Sequence, residues 1–569
     1  MAGQHFLVTA ALPYSNGRLH VGHIAGAYLP ADTYVRYLRA RGDTVRFICG
    51  SDDNGVANLI AAHNENSTPQ EIATRYNQSQ QRDFVGLGIN FDIYGGTHQP
   101  DFVDLHNRIS QEIFLKLHQK GCFVKRTAKQ LFDQQLGKFL PDRYVKGRCY
   151  HKLPDGSDCD YPGAHGDQCE HCGNSIDPIQ LINPVSTITG ATPIPKNTTH
   201  WYMKLDQFRD RLRQWLDTKQ DYWRPTVLNF TRGLLADGLP ERAMTRDLEW
   251  GVPVPLDDPD AAGKVLYVWF DAPIGYVSFT AKYAEQQGKG PEGYVQCWKN
   301  ADCKIVHFIG EDNTIFHAVI WPAMLMADGS FELPHNVVAN AFLNIKFPGR
   351  DVEKISKSRG SAIWIEDYLR TFDPDPLRYY LTAIAPEAQR TSFDVDEFLT
   401  RNNSELLATL GNFVNRTVTF AHKYFEGKVP EPGDRDESDD KQLAAGQGAA
   451  DAVGRELDGC HFKAALGEMM SLARLGNGYF DATAPFRTRK TDMAACGRAI
   501  NVCLQTVRAL TTIMAPFLPF SAEKCLTMLN LESEALQWDK ASEELPAGKA
   551  LGEPQLLFKK LDPVEVFGD

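Results

Sequence analysis

Three groups of residues have the types and spacings that do chemistry. The first is His20-Val21-Gly22-His23. Two imidazoles three positions apart share a helix face and can donate hydrogen bonds to phosphate oxygens. Gly22 removes a side chain, so a flat base or ribose can approach the backbone. The quartet follows the apolar run HFLVTAA (5–11) and the breakers Pro13, Asn16 and Gly17. A helix starting there offers unpaired N–H groups and a positive dipole to an anion. The second group is Lys354-Ile355-Ser356-Lys357-Ser358, followed by Arg359 and Gly360. Two ammonium groups beside a glycine describe a mobile cationic loop, which can stabilise charge building on a pyrophosphate leaving group. Alone, each motif also reads as ordinary surface: two histidines at a helix start, or a solvated basic loop.

The third group is cysteine. Cys149, Cys159, Cys169 and Cys172 fall within 24 residues, and the last two form a Cys-x-x-Cys pair. Four thiolates complete a tetrahedral zinc site with no open position, so such a metal would be structural. A long separator, YHKLPDGSD (150–158), divides Cys149 from Cys159. His151, His165 and His171 therefore stand as alternative ligands, and reduced thiols without metal are the other reading.

The elements that must position these groups alternate. Residues 5–11 and 45–49 (VRFIC) read as strands, and Ile24, Tyr28, Ala31, Val35 and Leu38 give 22–40 a helical period. Strand, helix, strand is a βαβ unit, so a parallel α/β sheet of Rossmann type begins at the N-terminus. Asp52 lies just past the second strand. There its carboxylate can pair with a substrate ammonium or cap a helix. Runs at 265–270 (VLYVWF), 305–309 and 337–343 predict further strands, with a helix over 313–327. Residues 118–240, rich in turn formers and holding the cysteines, read as an insertion that splits the sheet domain. From about 396 the period is helical, over 398–424, 441–482, 495–513 and 518–530, and EPGDRDESDD (431–440) reads as a solvated linker. The expected division is a catalytic domain in halves 1–117 and 241–345, an insertion 118–240 with its zinc knuckle at 149–172, a loop region 346–395, a helical domain 396–545 and a tail 546–569.

Composition narrows the classes. The 569 residues are 43% hydrophobic and 23% charged, which excludes bulk disorder and a single small module. Lys plus Arg is 60 against Asp plus Glu 72, a net charge of -12. That excludes a uniformly basic nucleic-acid coat and leaves a local basic groove open. The longest apolar candidate, 317–327, is broken by Pro322, so no membrane span is expected. The start shows no secretory pattern. Twelve cysteines are too dilute for a disulfide scaffold and are expected as reduced thiols in a cytoplasm. No Gly-Lys is followed by Ser or Thr, so a Walker A loop is absent, as is a serine-hydrolase elbow. Gly288-Lys289-Gly290-Pro291-Glu292-Gly293 matches the dinucleotide fingerprint by letter only, since no strand precedes it.

Taken together, the His-x-Gly-His and Lys-x-Ser-Lys-Ser motifs resemble the two signatures of class I aminoacyl-tRNA synthetases. The sequence is similar to the methionine family in TAALPYSNGRLHVGH (9–23), RFICGSDDNG (46–55), FLPDRYVKG (139–147), YVWFDAPIGY (267–276), HFIGEDNTIFH (307–317) and KISKSRG (354–360). The resemblance implies activation of L-methionine by ATP and transfer to initiator and elongator methionine tRNA. It places Leu12, Tyr14, Trp269, Ala272, Pro273, Tyr276 and His317 around the methionine side chain. An apolar, polarizable thioether packs well on such rings. Plain core packing is the other reading of Trp269 and Tyr276. By the same resemblance Asp52 binds the α-amino group. His20, Gly22, His23, Gly310, Asp312, Lys354, Ser356 and Lys357 bind ATP, with His20, His23, Lys354 and Lys357 catalytic. Glu311 stands where members of the family often carry lysine. Cofactors implied are one structural zinc ion and Mg²⁺ carried with ATP. Asn412 and Arg416, four apart on one helix face, match the family's anticodon-binding helix. Phe486 stands where the family's Ala-Pro-Trp element has tryptophan, and Arg487, Arg489 and Lys490 form a basic patch beside it. Leucine, isoleucine, valine and cysteine enzymes share the two signatures, but 267–276 argues against them. A non-catalytic tRNA-binding protein on the same fold is opposed by the intact His20, His23, Lys354 and Lys357. The chain ends soon after its helical region, so a monomer is expected.

Overall fold

The computed structural model describes residues 3–562 apart from 142, 143, 154, 167, 168, 170, 173, 175 and 357–359. Five parallel strands form its central sheet: β1 (His5–Ala10), β2 (Thr44–Ser51), β3 (Ile93–Gly96), β4 (Cys303–Gly310) and β5 (Asn336–Asn340). Their order is β5-β4-β1-β2-β3, and every neighbouring pair is parallel. The strands read as continuous apolar runs because both faces are covered. Phe6, Val8 and Ala10 face one core and Leu7 the other, and Val306 and Phe308 alternate with Ile305 and Ile309 in the same way.

Strand order reverses between β1 and β4. In an open parallel sheet a crevice forms outside the carboxyl ends at such a switch point, and ligands bind there. The residues after β1 and those after β4 therefore face each other across the crevice.

Between β3 and β4 a long antiparallel pair, Phe123–Asp133 with Ile194–Met203, carries the cysteine-bearing segment. Its continuation packs back onto the sheet domain. Leu212, Trp223, Val227 and Leu235 share one core with Ile305 and Trp321. The helices after 395 share the opposite core with β1 and β2, so Leu410, Val418 and Leu510 lie in the same apolar cluster as Val8 and Phe47. Fully buried Arg378 fastens this junction, donating to Asp32 Oδ2 at 2.7 Å and to the Leu87 and Pro516 carbonyls at 3.0 Å.

Three sequence expectations change. Of the expected strand 265–270, only Val265–Leu266 is extended, and Val268–Gln286 is a helix that places Trp269 in its first turn. A short apolar run reads equally as a strand or as a helix buried on all sides, and this helix is the latter. The run 337–343 is divided between β5 and a second sheet that begins at Leu343. The helical stretch 441–482 is two helices, Glu437–Asp458 and Phe462–Thr483, broken where Cys460 takes a φ of 56°.

Candidate active site

The segment after β1 begins the site. His20 caps the helix that starts at Val21, and its Nδ1 accepts from the Gly22 N–H at 3.1 Å. His23 Nδ1 in turn accepts from the His20 N–H at 3.1 Å. Both Nδ1 atoms act as acceptors, so each neutral ring carries its proton on Nε2. The rings stack with centroids 3.7 Å apart, which points two N–H donors from one helix start. The helix then widens to a π turn over Ile24–Tyr28, a distortion frequent at functional sites.

The basic motif lies against this turn. A Cβ on Gly22 would fall 2.9 Å from Ile355 Cδ1 and 3.0 Å from the His20 ring. Glycine thus lets the two motifs approach closely, and a larger residue would displace the Ile355 side chain or the His20 ring. Val21 N–H donates to the Ile363 carbonyl and Ile365 N–H to the Leu19 carbonyl, both at 3.1 Å, stitching the segments together. Lys354 is exposed and lies in a short strand paired with Asn344. Ser356 and Ser361 exchange backbone bonds at 3.1 Å. Lys357, between them in sequence, lies outside the described residues.

The opposite wall comes from β4. Gly310 ends the strand, and Glu311–Asn313 form a 3₁₀ turn with Asp312 exposed. Glu311 pairs with Arg390 at 2.8 Å, so the acidic departure from the family pattern is neutralised within the chain. A second π turn, Phe316–Ile320, carries His317 inward.

Beneath lies an apolar pocket with a polar floor. Trp269 Nε1 donates to Tyr14 Oη at 2.6 Å, and its ring meets Phe316 edge-on at 4.2 Å. Leu12 lies against the helix opposite Gly275, where a Cβ would come 3.0 Å from Leu12 Cδ1. Ala272 and Pro273 follow Trp269 on that helix. Buried Tyr276 lies 2.9 Å from His317 Nε2, and His317 Nδ1 lies 3.1 Å from the Asn313 carbonyl. A carbonyl only accepts, so Nδ1 bears the proton and Nε2 accepts from the tyrosine hydroxyl. Burial holds the His317 imidazole down at about 4 and pushes the Tyr276 phenol well up. The pair is therefore neutral and fixed in one tautomer at neutral pH.

Asp52 places a carboxyl group beside the pocket. Its N–H donates to the Pro13 carbonyl at 2.8 Å, tying it beside Tyr14. It caps no helix, because the next helix is capped by Gly55. The side chain is buried, and its Oδ1 has no hydrogen-bond partner among the described residues. Burial, with Asp271 and Asp53 nearby, pushes its carboxyl well above the usual carboxylate range. A buried unpartnered oxygen is costly and calls for a cation or donor. Asp271 is held by Asn54 at 2.7 Å and His106 at 3.3 Å. Above the pocket a cavity of about 800 Å³ opens toward the insertion, lined by Tyr14, Trp269, Phe139, His200, Tyr202 and Arg246.

Residues 6–418 match the family of tRNA synthetases class I (M), and residues 429–566 match the anticodon binding domain of methionyl tRNA ligase. The chain belongs to the methionyl class I tRNA synthetases. The methionine–tRNA ligase of Porphyromonas gingivalis is 44% identical over 560 residues, spanning 98% of this chain and 79% of that protein. The same ligase from Bacteroides fragilis is 44% identical over 563 residues, with the same coverage. A crystal structure of Mycobacterium tuberculosis methionyl-tRNA synthetase bound by methionyl-adenylate matches with a TM-score of 0.79 at 26% identity, over 98% of this chain and 100% of that one. The enzyme is an ATP-dependent methionine–tRNA ligase. It forms methionyl-adenylate and pyrophosphate, then transfers methionine to the 3′-terminal adenosine of tRNA.

Two further regions of the enzyme complete the picture. The four cysteines converge, with all ligand sulfurs within 4.8 Å of one another. Cys149 lies 3.7 Å from Cys172, and Cys159 lies 3.7 Å from Cys169. Tetrahedral Zn–S bonds of about 2.3 Å set sulfurs about 3.8 Å apart, so the cluster is the right size to hold a metal ion. Cys149 stands in the cluster despite the long separator, because 150–158 folds back: Cys159 N–H donates to the His151 carbonyl at 2.8 Å. In the helical domain, Asn412 is exposed on the helix Asn412–Tyr424. Arg416 donates to Asp481 at 2.8 Å and to the Asn477 carbonyl at 3.0 Å, and lies 4.0 Å over Phe480. Phe486 is 46% exposed, presented by Ala484, which takes a left-handed φ of 42° at the end of the preceding helix. No helix among the described residues is long and apolar enough to cross a membrane.

Sequence reading missed Phe316, Asn313, Asn54, His106 and Arg390. Phe316 adjoins His317 and carried its own signal. The others act through a backbone carbonyl or through partners distant in sequence, which spacing does not reveal.

Proposed function

We propose that the two steps of the ligase reaction are divided among this chain's residues as follows. Asp52 receives the methionine ammonium, which supplies the missing partner of its buried Oδ1. Leu12, Tyr14, Trp269, Ala272, Pro273, Tyr276 and His317 enclose the thioether. The fixed Tyr276–His317 pair is a neutral floor that admits sulfur and accommodates no charge. The methionine carboxylate oxygen attacks the α-phosphorus of ATP, and the bond to the β-phosphate bridging oxygen breaks. No protein nucleophile takes part, so catalysis is positioning and electrostatics. His20 and His23 donate from Nε2 to the phosphates, with Gly22 giving the nucleotide access to the backbone. Gly310 and Asp312 hold the adenosine. Lys354, Ser356 and Lys357 stabilise the departing pyrophosphate. Mg²⁺ arriving with ATP neutralises part of the triphosphate charge. The 3′-terminal hydroxyl of the tRNA then attacks the adenylate carbonyl, giving the aminoacyl ester and AMP. The cavity of about 800 Å³ beside Tyr14 and Trp269 gives that terminus room to enter. Cys149, Cys159, Cys169 and Cys172 hold one structural zinc ion. Asn412, Arg416 and Phe486 meet the anticodon of initiator and elongator methionine tRNA.

The observation that carries this assignment is the buried Asp52 oxygen, without a partner among the described residues, beside a neutral aromatic pocket. The test is ATP–pyrophosphate exchange by the purified chain with each amino acid in turn. Exchange with methionine alone is expected. Exchange driven equally by leucine, isoleucine or valine would overturn the pocket assignment. Metal analysis of the same preparation is expected to give one zinc per chain, and its absence would return the cluster to free thiols.

A further inference from the structure

The helix Asn412–Tyr424 carries Asn412, Arg416, Phe420 and Tyr424 at every fourth position. Residues four apart are neighbours, but each step of four also advances about 40° around the helix, so the row winds about a third of a turn from Asn412 to Tyr424. Along it the rings and cations form an unbroken ladder. Arg416 lies 4.0 Å over Phe480, whose ring is 6.2 Å from Phe420. Phe420 is 4.5 Å from Tyr424, and the Arg489 guanidinium lies 4.6 Å over Tyr424. Phe420, Tyr424 and Arg489 are half-buried, with open surface left on each. Arg416 is bound to Asp481, whereas no carboxylate pairs with Arg489 among the described residues. Beside it, Arg487 lies 5.6 Å from the exposed Phe486 ring.

We propose that Tyr424 and Arg489 extend the tRNA-reading face into a stacking platform for an unpaired base of the anticodon loop outside the anticodon itself. This rests on the anticodon reading of Asn412 and Arg416. Unpaired bases bind by stacking on aromatic rings and guanidinium planes, and the phosphates between them seek nearby cations. Twelve residues of helix extend about 18 Å. A stacked trinucleotide at about 3.4 Å per step covers about 10 Å. This winding row is therefore longer than a stacked triplet, and its far end is the pair Tyr424–Arg489. In a chain of net charge -12, a guanidinium left unneutralised on an aromatic ring is local complementarity to RNA.

The test measures charging kcat/KM for Tyr424→Ala, Tyr424→Phe and Asn412→Ala, using full-length methionine tRNA and a set carrying one abasic nucleotide at each loop position. Adenylate formation, which needs no tRNA, reports on the fold. Tyr424→Ala is expected to lower kcat/KM about tenfold, and Tyr424→Phe, which keeps the ring, to retain most of it. One abasic position outside the anticodon is expected to weaken the unaltered enzyme and leave Tyr424→Ala no worse. Charging by Tyr424→Ala within twofold of the unaltered enzyme would overturn the proposal. So would an equal fall in adenylate formation, which marks a damaged fold. If Asn412→Ala loses charging while Tyr424→Ala does not, the extension alone fails. If neither loses charging, the anticodon reading fails with it.

Discussion

Under the proposed assignment, the methionine side of the crevice and its nucleotide side are built on opposite principles. On the methionine side, Tyr276, His317 and Asp52 are buried; His317 is fixed between the Tyr276 hydroxyl and the Asn313 carbonyl, and the Asp52 N–H is tied to the Pro13 carbonyl. On the nucleotide side, Lys354 and Asp312 are exposed, and Ile355 of the basic motif lies against Gly22. Discriminating one side chain needs groups that cannot rearrange, because a pocket that adapts admits the wrong substrate. Stabilising a leaving group needs cations that engage as charge develops and then release it. Rigidity and exposure within one crevice thus separate substrate selection from bond breaking.

Substitutions that break one side should leave the other intact. The largest expected effect is that of Asp52→Asn, which keeps the shape and removes the charge. Methionine KM in pyrophosphate exchange should rise about 100-fold, the cost of a charge-assisted contact, while ATP KM stays within threefold. The ligand-free variant should also lose less stability as pH rises, because ionising the buried Asp52 carboxyl, raised by burial, costs stability only in the unaltered chain. A lower melting temperature with unchanged methionine KM would mean that Asp52 is structural.

Gly22→Ala tests the other side. Its Cβ would meet Ile355 Cδ1 and the His20 ring at 2.9 and 3.0 Å, so the Ile355 side chain or the His20 ring must shift. ATP KM should rise about tenfold, an overpacking cost, with methionine KM unchanged. Equal changes in both would show that the two sides are coupled.

The smallest effect is a pH dependence of stability. His317 is held at about 4 by burial, below the ordinary imidazole value near 6.5. Between these values the unfolded chain binds a proton that the folded one does not, so this residue costs stability as pH falls from about 6.5 to about 4, by up to about 3 kcal/mol. His98 and His335, likewise held near 4, act in the same direction. Asp52 and Asp271, raised by burial, act in the opposite direction. The contribution of His317 is therefore read as a difference. His317→Asn should unfold with a shallower fall in stability across this window than the unaltered chain, and identical slopes would contradict its burial as a neutral ring.

The two signature motifs were legible because each packs its chemistry into a few adjacent residues that follow a strand. The sheet was legible because strands covered on both faces are continuous apolar runs, as at HFLVTA and CKIVHFIG. Trp269 was expected on a strand and lies in the first turn of a helix, because a short buried run has no period that separates strand from helix. Arg416 was legible as a helix-face residue, but its neutralisation by Asp481 was not, since that partner lies 65 positions away. The tautomer of His317 depends on the Asn313 carbonyl, and the compensation of Glu311 depends on Arg390. Neither leaves a mark in spacing.

The separation of selection from bond breaking is tested most directly by steady-state pyrophosphate exchange with Lys354→Ala. The exposed lysine makes no part of the methionine pocket, so kcat should fall about 100-fold with methionine KM within threefold of the unaltered enzyme. A kcat within threefold, or a methionine KM that rises as much as kcat falls, would contradict it.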